Sequence, residues 1–164
     1  MKVLETQVEI AAPASRVWEI LTDLAAYPEW NPFIVKAAGE LREGGRLALT
    51  MLPPGRKAMD FAPRVLKAAP NRELRWLGNL WVRGLFDGEH YFIIEELGPE
   101  RARLTHGERF GGILVPLLKG MLDGPTRQGF ELLNQALKAR AEQGGGEPVA
   151  SGAPAGRNPE IAAW

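Results

Sequence analysis

Leu85-Phe86-Asp87-Gly88-Glu89-His90-Tyr91-Phe92-Ile93-Ile94-Glu95-Glu96-Leu97, followed across Gly98-Pro99 by Arg101-Ala102-Arg103-Leu104-Thr105-His106-Gly107-Glu108-Arg109-Phe110, decides the fold. Both runs alternate with the period of a strand. One parity carries Phe86, Gly88, His90, Phe92 and Ile94, then Leu104, His106, Glu108 and Phe110. The other carries Asp87, Glu89, Tyr91 and Glu95, then Arg101, Arg103, Thr105 and Arg109. That is an antiparallel pair with one wet face, and it turns both histidines and Glu108 inward. A three-residue loop, Leu97-Gly98-Pro99, would pair Glu96 with Glu100 and set His90 directly across from His106. Two acidic residues opposite each other weigh against that register, and a bulge would shift it. The inward parity does not depend on it.

Working outward, Val35–Leu41 and Arg46–Leu52 flank Glu43-Gly44-Gly45, a hairpin signal. Lys57–Ala68 is a third strand piece interrupted by Pro63, and Arg72–Trp81 a fourth. At the N-terminus, residues 2–10 alternate as a strand, and Pro13 opens a helix with Ala14, Val17, Trp18 and Leu21 on one face. Pro28 and Pro32 make Tyr27–Phe33 an aromatic-rich loop. After Gly111-Gly112 the pattern is helical through about Gln143, with a kink or a short break expected at Gly124-Pro125. Thr126, Phe130, Leu133, Asn134, Leu137 and Ala141 form its apolar stripe. From Gly144 to Trp164 the composition turns to Gly, Ala and Pro without period, which reads as a flexible tail. The expected fold class is α+β: a curved antiparallel sheet of about seven strands around a long C-terminal helix, with one domain over 1–143 and the tail over 144–164.

Composition excludes several classes of function. Twenty basic and twenty acidic residues cancel, so no basic face for nucleic acid is expected. Cysteine is absent, which removes disulfide and thiolate chemistry. No signal-peptide run opens the chain and no apolar stretch is long enough to span a bilayer, so a cytoplasmic protein, monomeric or weakly dimeric, is expected. There is no GxSxG, no GxxxxGK[ST] and no GxGxxG.

The order of elements, together with Pro13-Ala14-Ser15-Arg16-Val17-Trp18-Glu19-Ile20-Leu21-Thr22-Asp23 and Tyr27-Pro28-Glu29-Trp30-Asn31-Pro32-Phe33, resembles the START-like or Bet v 1-like superfamily, also called SRPBCC or polyketide cyclase/dehydrase. Gly84–Phe92, Leu104–Phe110 and Gly129–Lys138 continue the resemblance, which covers 1–143. It implies a helix-grip fold with a deep apolar cavity that takes a lipid-, hormone- or polyketide-like ligand, with catalysis in a minority of members.

The candidate ligand-binding residues are therefore Trp30, Asn31, Met59, Phe61, Trp76, Phe86, His90, Phe92, His106, Glu108, Phe110, Phe130 and Asn134. Two imidazoles and a carboxylate could anchor a ligand, do acid–base work, bind a metal or simply satisfy one another in the core. Close-spaced ligand motifs are lacking, so neither metal nor cofactor is expected. Tyr27, Trp30 and Phe33 could guard a cavity mouth or pack a corner, and Asn31 could shape a turn. The leading expectation is a binding module that holds a small hydrophobic or amphipathic ligand in an internal cavity between the sheet and the C-terminal helix. The alternatives are a cyclase or dehydratase using His90, His106 and Glu108 as acid and base, and an interaction module like the chaperone-activating members. His90 and His106 are expected to line the cavity and titrate as a coupled unit, with Glu108 able to keep one of them protonated.

Overall fold

The computed structural model describes residues 1–143; the tail expected over 144–164 lies outside the described residues. Strand β1 (Lys2–Ile10) leads to helix α1 (Ala14–Thr22), a short 3₁₀ turn and the single-turn helix α2 (Tyr27–Trp30). Then follow β2 (Ile34–Gly39), β3 (Leu47–Met51), β4 (Met59–Phe61), β5 (Arg64–Ala69), β6 (Glu73–Asn79), β7 (Asp87–Gly98) and β8 (Arg101–Gly111). A short helix α3 (Lys119–Met121), a π-helical turn (Leu122–Thr126) and α4 (Arg127–Gln143) close the domain. Pairing is antiparallel throughout, in the orders β1-β8-β7-β6-β5 and β2-β3-β4. The two sheets meet at an Arg46–Arg64 bridge, where Leu47 N–H donates to the Pro63 carbonyl and Val65 N–H to that of Gly45. Pro63, which has no donor of its own, is where the expected single strand over 57–68 divides into β4 and β5. The α+β sheet wrapped on a C-terminal helix is thus present, with eight strands among the described residues. No described helix is long and apolar enough to cross a membrane.

Two local expectations are corrected and a third is made specific. The aromatic segment after α1 is not all loop: Pro28 occupies the first turn of α2, where a missing N–H costs nothing. The helix does not start at Gly112. That residue has φ +106°, an added Cβ there would overlap the Leu85 carbonyl, and residues 113–118 are turns bonded back to Gly84 and Leu85. At Gly124-Pro125, where a kink or short break is expected, the helix widens into a π turn, an interruption of the ladder at the residue that has no N–H to donate. The buried stripe of α4 is Gly129, Phe130, Leu133, Asn134, Leu137 and Ala141, against β1 and β8. Gly129 lies under the Phe33 ring, so α4 can come close there.

The β7–β8 parity is as read, but the register is displaced by two residues. A bulge between Glu96 and Gly98 lets Gly98 pair with Arg101, so Glu96 faces Ala102 rather than Glu100. His90 consequently pairs with Glu108 and Phe92 with His106. The outer face is not wholly wet either. Tyr91 is only 2% exposed, because its ring lies over Gly107 between the guanidinium groups of Arg75 and Arg109, and its hydroxyl donates to Glu5 at 2.7 Å. Gly107→Ala would drive a methyl into that ring and is expected to cost about 1–3 kcal/mol in urea denaturation. Tyr91→Ala introduced with it should return part of the loss.

Candidate functional site

At one end of the concave face, where β6 and β8 finish and β7 begins, the sheet and the π turn stand apart and leave a pocket of about 70 Å³. This admits several water-sized groups. Its walls are Phe33, Met51, Pro53, Met59, Phe61 and Pro63 on one side and Trp76, Leu80, Phe86 and Phe110 on the sheet. Met121, Leu122 and Thr126 line it from the π turn. Gly78, Asn79 and Gly88 complete it, and Glu108 is the only ionisable residue among those that line it.

Of the residues singled out from sequence, Met59, Phe61, Trp76, Phe86, Glu108 and Phe110 meet at this pocket. Trp30, Asn31, His90, Phe92, His106, Phe130 and Asn134 do not reach its wall. Asn31 shapes a turn: its Oδ1 accepts from the N–H groups of Phe33 and Ile34 at 3.0 and 2.8 Å. Trp30 packs edge-on against Tyr27 at 5.3 Å. The histidines do not line the cavity because aromatic rings fill the space around them. His106 stacks between Phe130 and Phe92, with centroids 3.9 and 4.4 Å away, and His90 lies parallel to Trp76 at 4.9 Å. The wall residues not anticipated include Met51, Met121 and Leu122. The glycines at 78 and 88, on the inward parity of two strands, were the signal in the sequence for open space on that face.

A hydrogen-bonded chain runs from the pocket wall into this packed interior, and its polarity can be worked out from the far end. Thr6 spends its one hydroxyl proton on the His106 carbonyl at 3.1 Å, so it accepts from Asn134 Nδ2 at 2.9 Å. Asn134 Oδ1 therefore faces His106 Nδ1, 2.9 Å away, and that nitrogen carries the proton. His106 Nε2 is then an acceptor, and His90 Nε2, at 2.8 Å, donates to it. His90 Nδ1 is left facing Glu108 Oε2, 3.2 Å away. The last bond is made either by a protonated Glu108 donating to His90 Nδ1 or by a His90 imidazolium donating to a Glu108 carboxylate, and burial decides between the two.

The electrostatics select the first. Burial pushes the Glu108 carboxyl up to about 8 and the His90 imidazole down to about 3. His106 is held well below its ordinary value by burial and by the neighbouring His90, against smaller opposing contributions from its bonds to Asn134 and the Phe130 carbonyl. At neutral pH the trio is uncharged. The expectation that Glu108 keeps a histidine protonated is thereby reversed: the carboxyl holds the proton itself. With 14% of its side chain exposed, Glu108 presents a neutral carboxylic acid to the pocket. Among the described residues no group of three His, Asp or Glu is disposed to hold a metal ion.

A sheet wrapped on α4, with a pocket between the sheet and the π turn that precedes that helix, defines a helix-grip domain; no α4 residue is among those that line the pocket, so the pocket does not lie between the sheet and that helix, where the cavity is expected from sequence. The chain belongs to the polyketide cyclase / dehydrase and lipid transport family, whose model matches residues 1–142. No curated protein matches it. Among solved structures it is similar to a START superfamily protein from Mycobacterium smegmatis, at 27% identity over 86% of this chain and 97% of that one, with a TM-score of 0.70. The Zhui aromatase/cyclase from Streptomyces sp. R1128 is similar at 21% identity over 87% and 94%, with a TM-score of 0.71. A Thermus thermophilus protein, TTHA0849, is similar at 18% identity over 88% and 100%, with a TM-score of 0.69.

Proposed function

We propose that the pocket binds a small, uncharged, largely apolar molecule and meets its single oxygen with the Glu108 carboxylic acid. The observation that carries this reading is the wall itself: apolar and aromatic side chains with one ionisable residue, and that one neutral at physiological pH. Such a composition is usual for ligand sites. A fatty-acid or other carboxylate head would find no cation among the lining residues and would face an acid that it must keep protonated. Isothermal titration at pH 7 with 4-methylphenol and 4-methylbenzoate tests the charge rule. The phenol should bind at least about tenfold more tightly, and Glu108→Leu should narrow the gap. A benzoate that binds as well as the phenol contradicts the reading.

Acid–base chemistry is the second reading, favoured by an acid titrating near 8 beside two imidazoles. A general acid works best with a pKa near the working pH. Acetophenone in deuterated buffer is a simple probe, since enolisation exchanges its methyl protons. Exchange faster than buffer alone, and abolished in Glu108→Gln, supports catalysis; exchange at the buffer rate leaves binding alone. The interaction-module reading calls for a filled cavity with an exposed apolar patch. Trp81, Val82, Ile113 and Leu117 are exposed, but the pocket is open.

A further inference from the structure

Strands β6 and β7 place two glycines side by side on the inward parity: Gly78 pairs with Gly88, and both lie at the pocket. Trp76 precedes Gly78 on that face and Leu80 follows it, both with side chains at the wall. A glycine inside a strand forfeits packing and loses more chain entropy on folding than any other residue, so its presence answers some specific demand. At Gly88 the demand is visible, since an added Cβ would overlap Glu108 Oε1. At Gly78 folding makes none. Its φ is not in the left-handed region, and a Cβ there would meet nothing nearer than the Pro63 Cβ at 3.5 Å, an ordinary contact. The fold would accept a side chain at 78; the pocket would lose the space.

We infer that Gly78 and Gly88 are the specificity-determining floor of the pocket, a strip of bare backbone on which a flat, ring-shaped ligand lies with its oxygen toward Glu108. Gly78 sets the depth, and Gly88 leaves room for the carboxyl to take its pose. This rests on the reading of the pocket as a ligand site. The flanking Trp76 and Phe86 rings suit a planar aromatic guest, whose faces they can stack on or meet edge-on, over a saturated ring that offers no such contact.

The test is a set of NMR titrations with 4-methylphenol, 4-methylcyclohexanol and toluene, alongside thermal unfolding. The wild-type chain should prefer the phenol to the saturated alcohol by about fivefold or more. Gly78→Val should weaken all three probes by at least about tenfold with an unchanged or raised Tm, and Gly78→Ala should do so partially while raising Tm by about 2 °C. Gly88→Ala should keep toluene binding but lose the advantage of the phenol over toluene. Wild-type affinity in both Gly78 variants overturns the floor while leaving the pocket reading intact. A fall in Tm of more than about 5 °C in Gly78→Ala also overturns it, because the glycine would then serve the fold. Failure of every probe to bind the wild-type chain overturns the pocket reading and the floor with it.

Discussion

Phe130→Ala is expected to remove about 3–5 kcal/mol of stability, the usual cost of truncating a fully buried phenylalanine. The side chain is entirely inaccessible. It stacks on His106, meets His90 edge-on at 5.1 Å and Phe33 edge-on at 5.6 Å, and so joins the gripped helix to both the polar chain and the pocket wall. Much of the cost should be irrecoverable by relaxation, because His90, His106 and Phe33 around it are themselves buried and packed. Phe130→Leu, which keeps most of the volume, should lose about 1–1.5 kcal/mol. Urea denaturation of the two variants provides the comparison. Equal losses would mean that the site collapses freely and that the aromatic stack is not the element organising the core.

Stability should also trace a maximum in pH near neutrality, and Glu108 should set its upper slope. The unfolded carboxyl titrates near 4.5 and the folded one near 8. Between those values the native state holds one proton more than the unfolded state, so stability is fully present below 4.5 and falls as pH rises toward 8. The slope approaches about 1.4 kcal/mol per pH unit. The histidines act in the opposite sense. Their folded values lie below the ordinary 6.5, so their contribution is complete above 6.5 and declines as pH falls toward the folded values. Between 4.5 and 6.5 the unfolded chain gains up to two imidazole protons while the folded chain keeps the Glu108 proton, and net stability rises with pH. Other carboxylates in ion pairs, such as Glu73 beside Lys67 and Arg75, add their own acid dependence. The clean measurement is therefore the wild-type minus Glu108→Gln difference. It should decline by about 1.4 kcal/mol per unit between pH 5 and 8. A flat difference would mean that Glu108 is ionised in the folded protein.

The sequence carried the inward face of β7 and β8 plainly, because hydrophobic alternation is a local signal and a two-residue shift of register leaves it untouched. The register itself was not legible. It depends on a bulge at Leu97, and the unfavourable facing of Glu96 and Glu100 in the unbulged register was noticed in the sequence without fixing where the bulge falls. The same shift decides the site, since it puts Glu108 rather than His106 across from His90. Which polar residues reach open space was hidden for a different reason. His90, His106 and Asn134 share the inward parity with the pocket residues, and only the stacking of Phe92, Phe130 and Trp76 around them determines that the interior there is closed. Asn31 was ambiguous until its carbonyl was seen to cap two backbone donors. Gly78 was legible in principle, as a strand glycine that no turn requires.

The most direct measurement is a carbon-13 NMR titration of the glutamate side-chain carboxyls, with the Glu108 resonance assigned by its loss in Glu108→Gln. The account expects a midpoint near 8 for that carboxyl, with neither imidazole of His90 or His106 charged at pH 6. A Glu108 midpoint near 4.5, the ordinary value, would contradict it: the pocket would then carry a carboxylate, and the proton between Glu108 and His90 would belong to the imidazole.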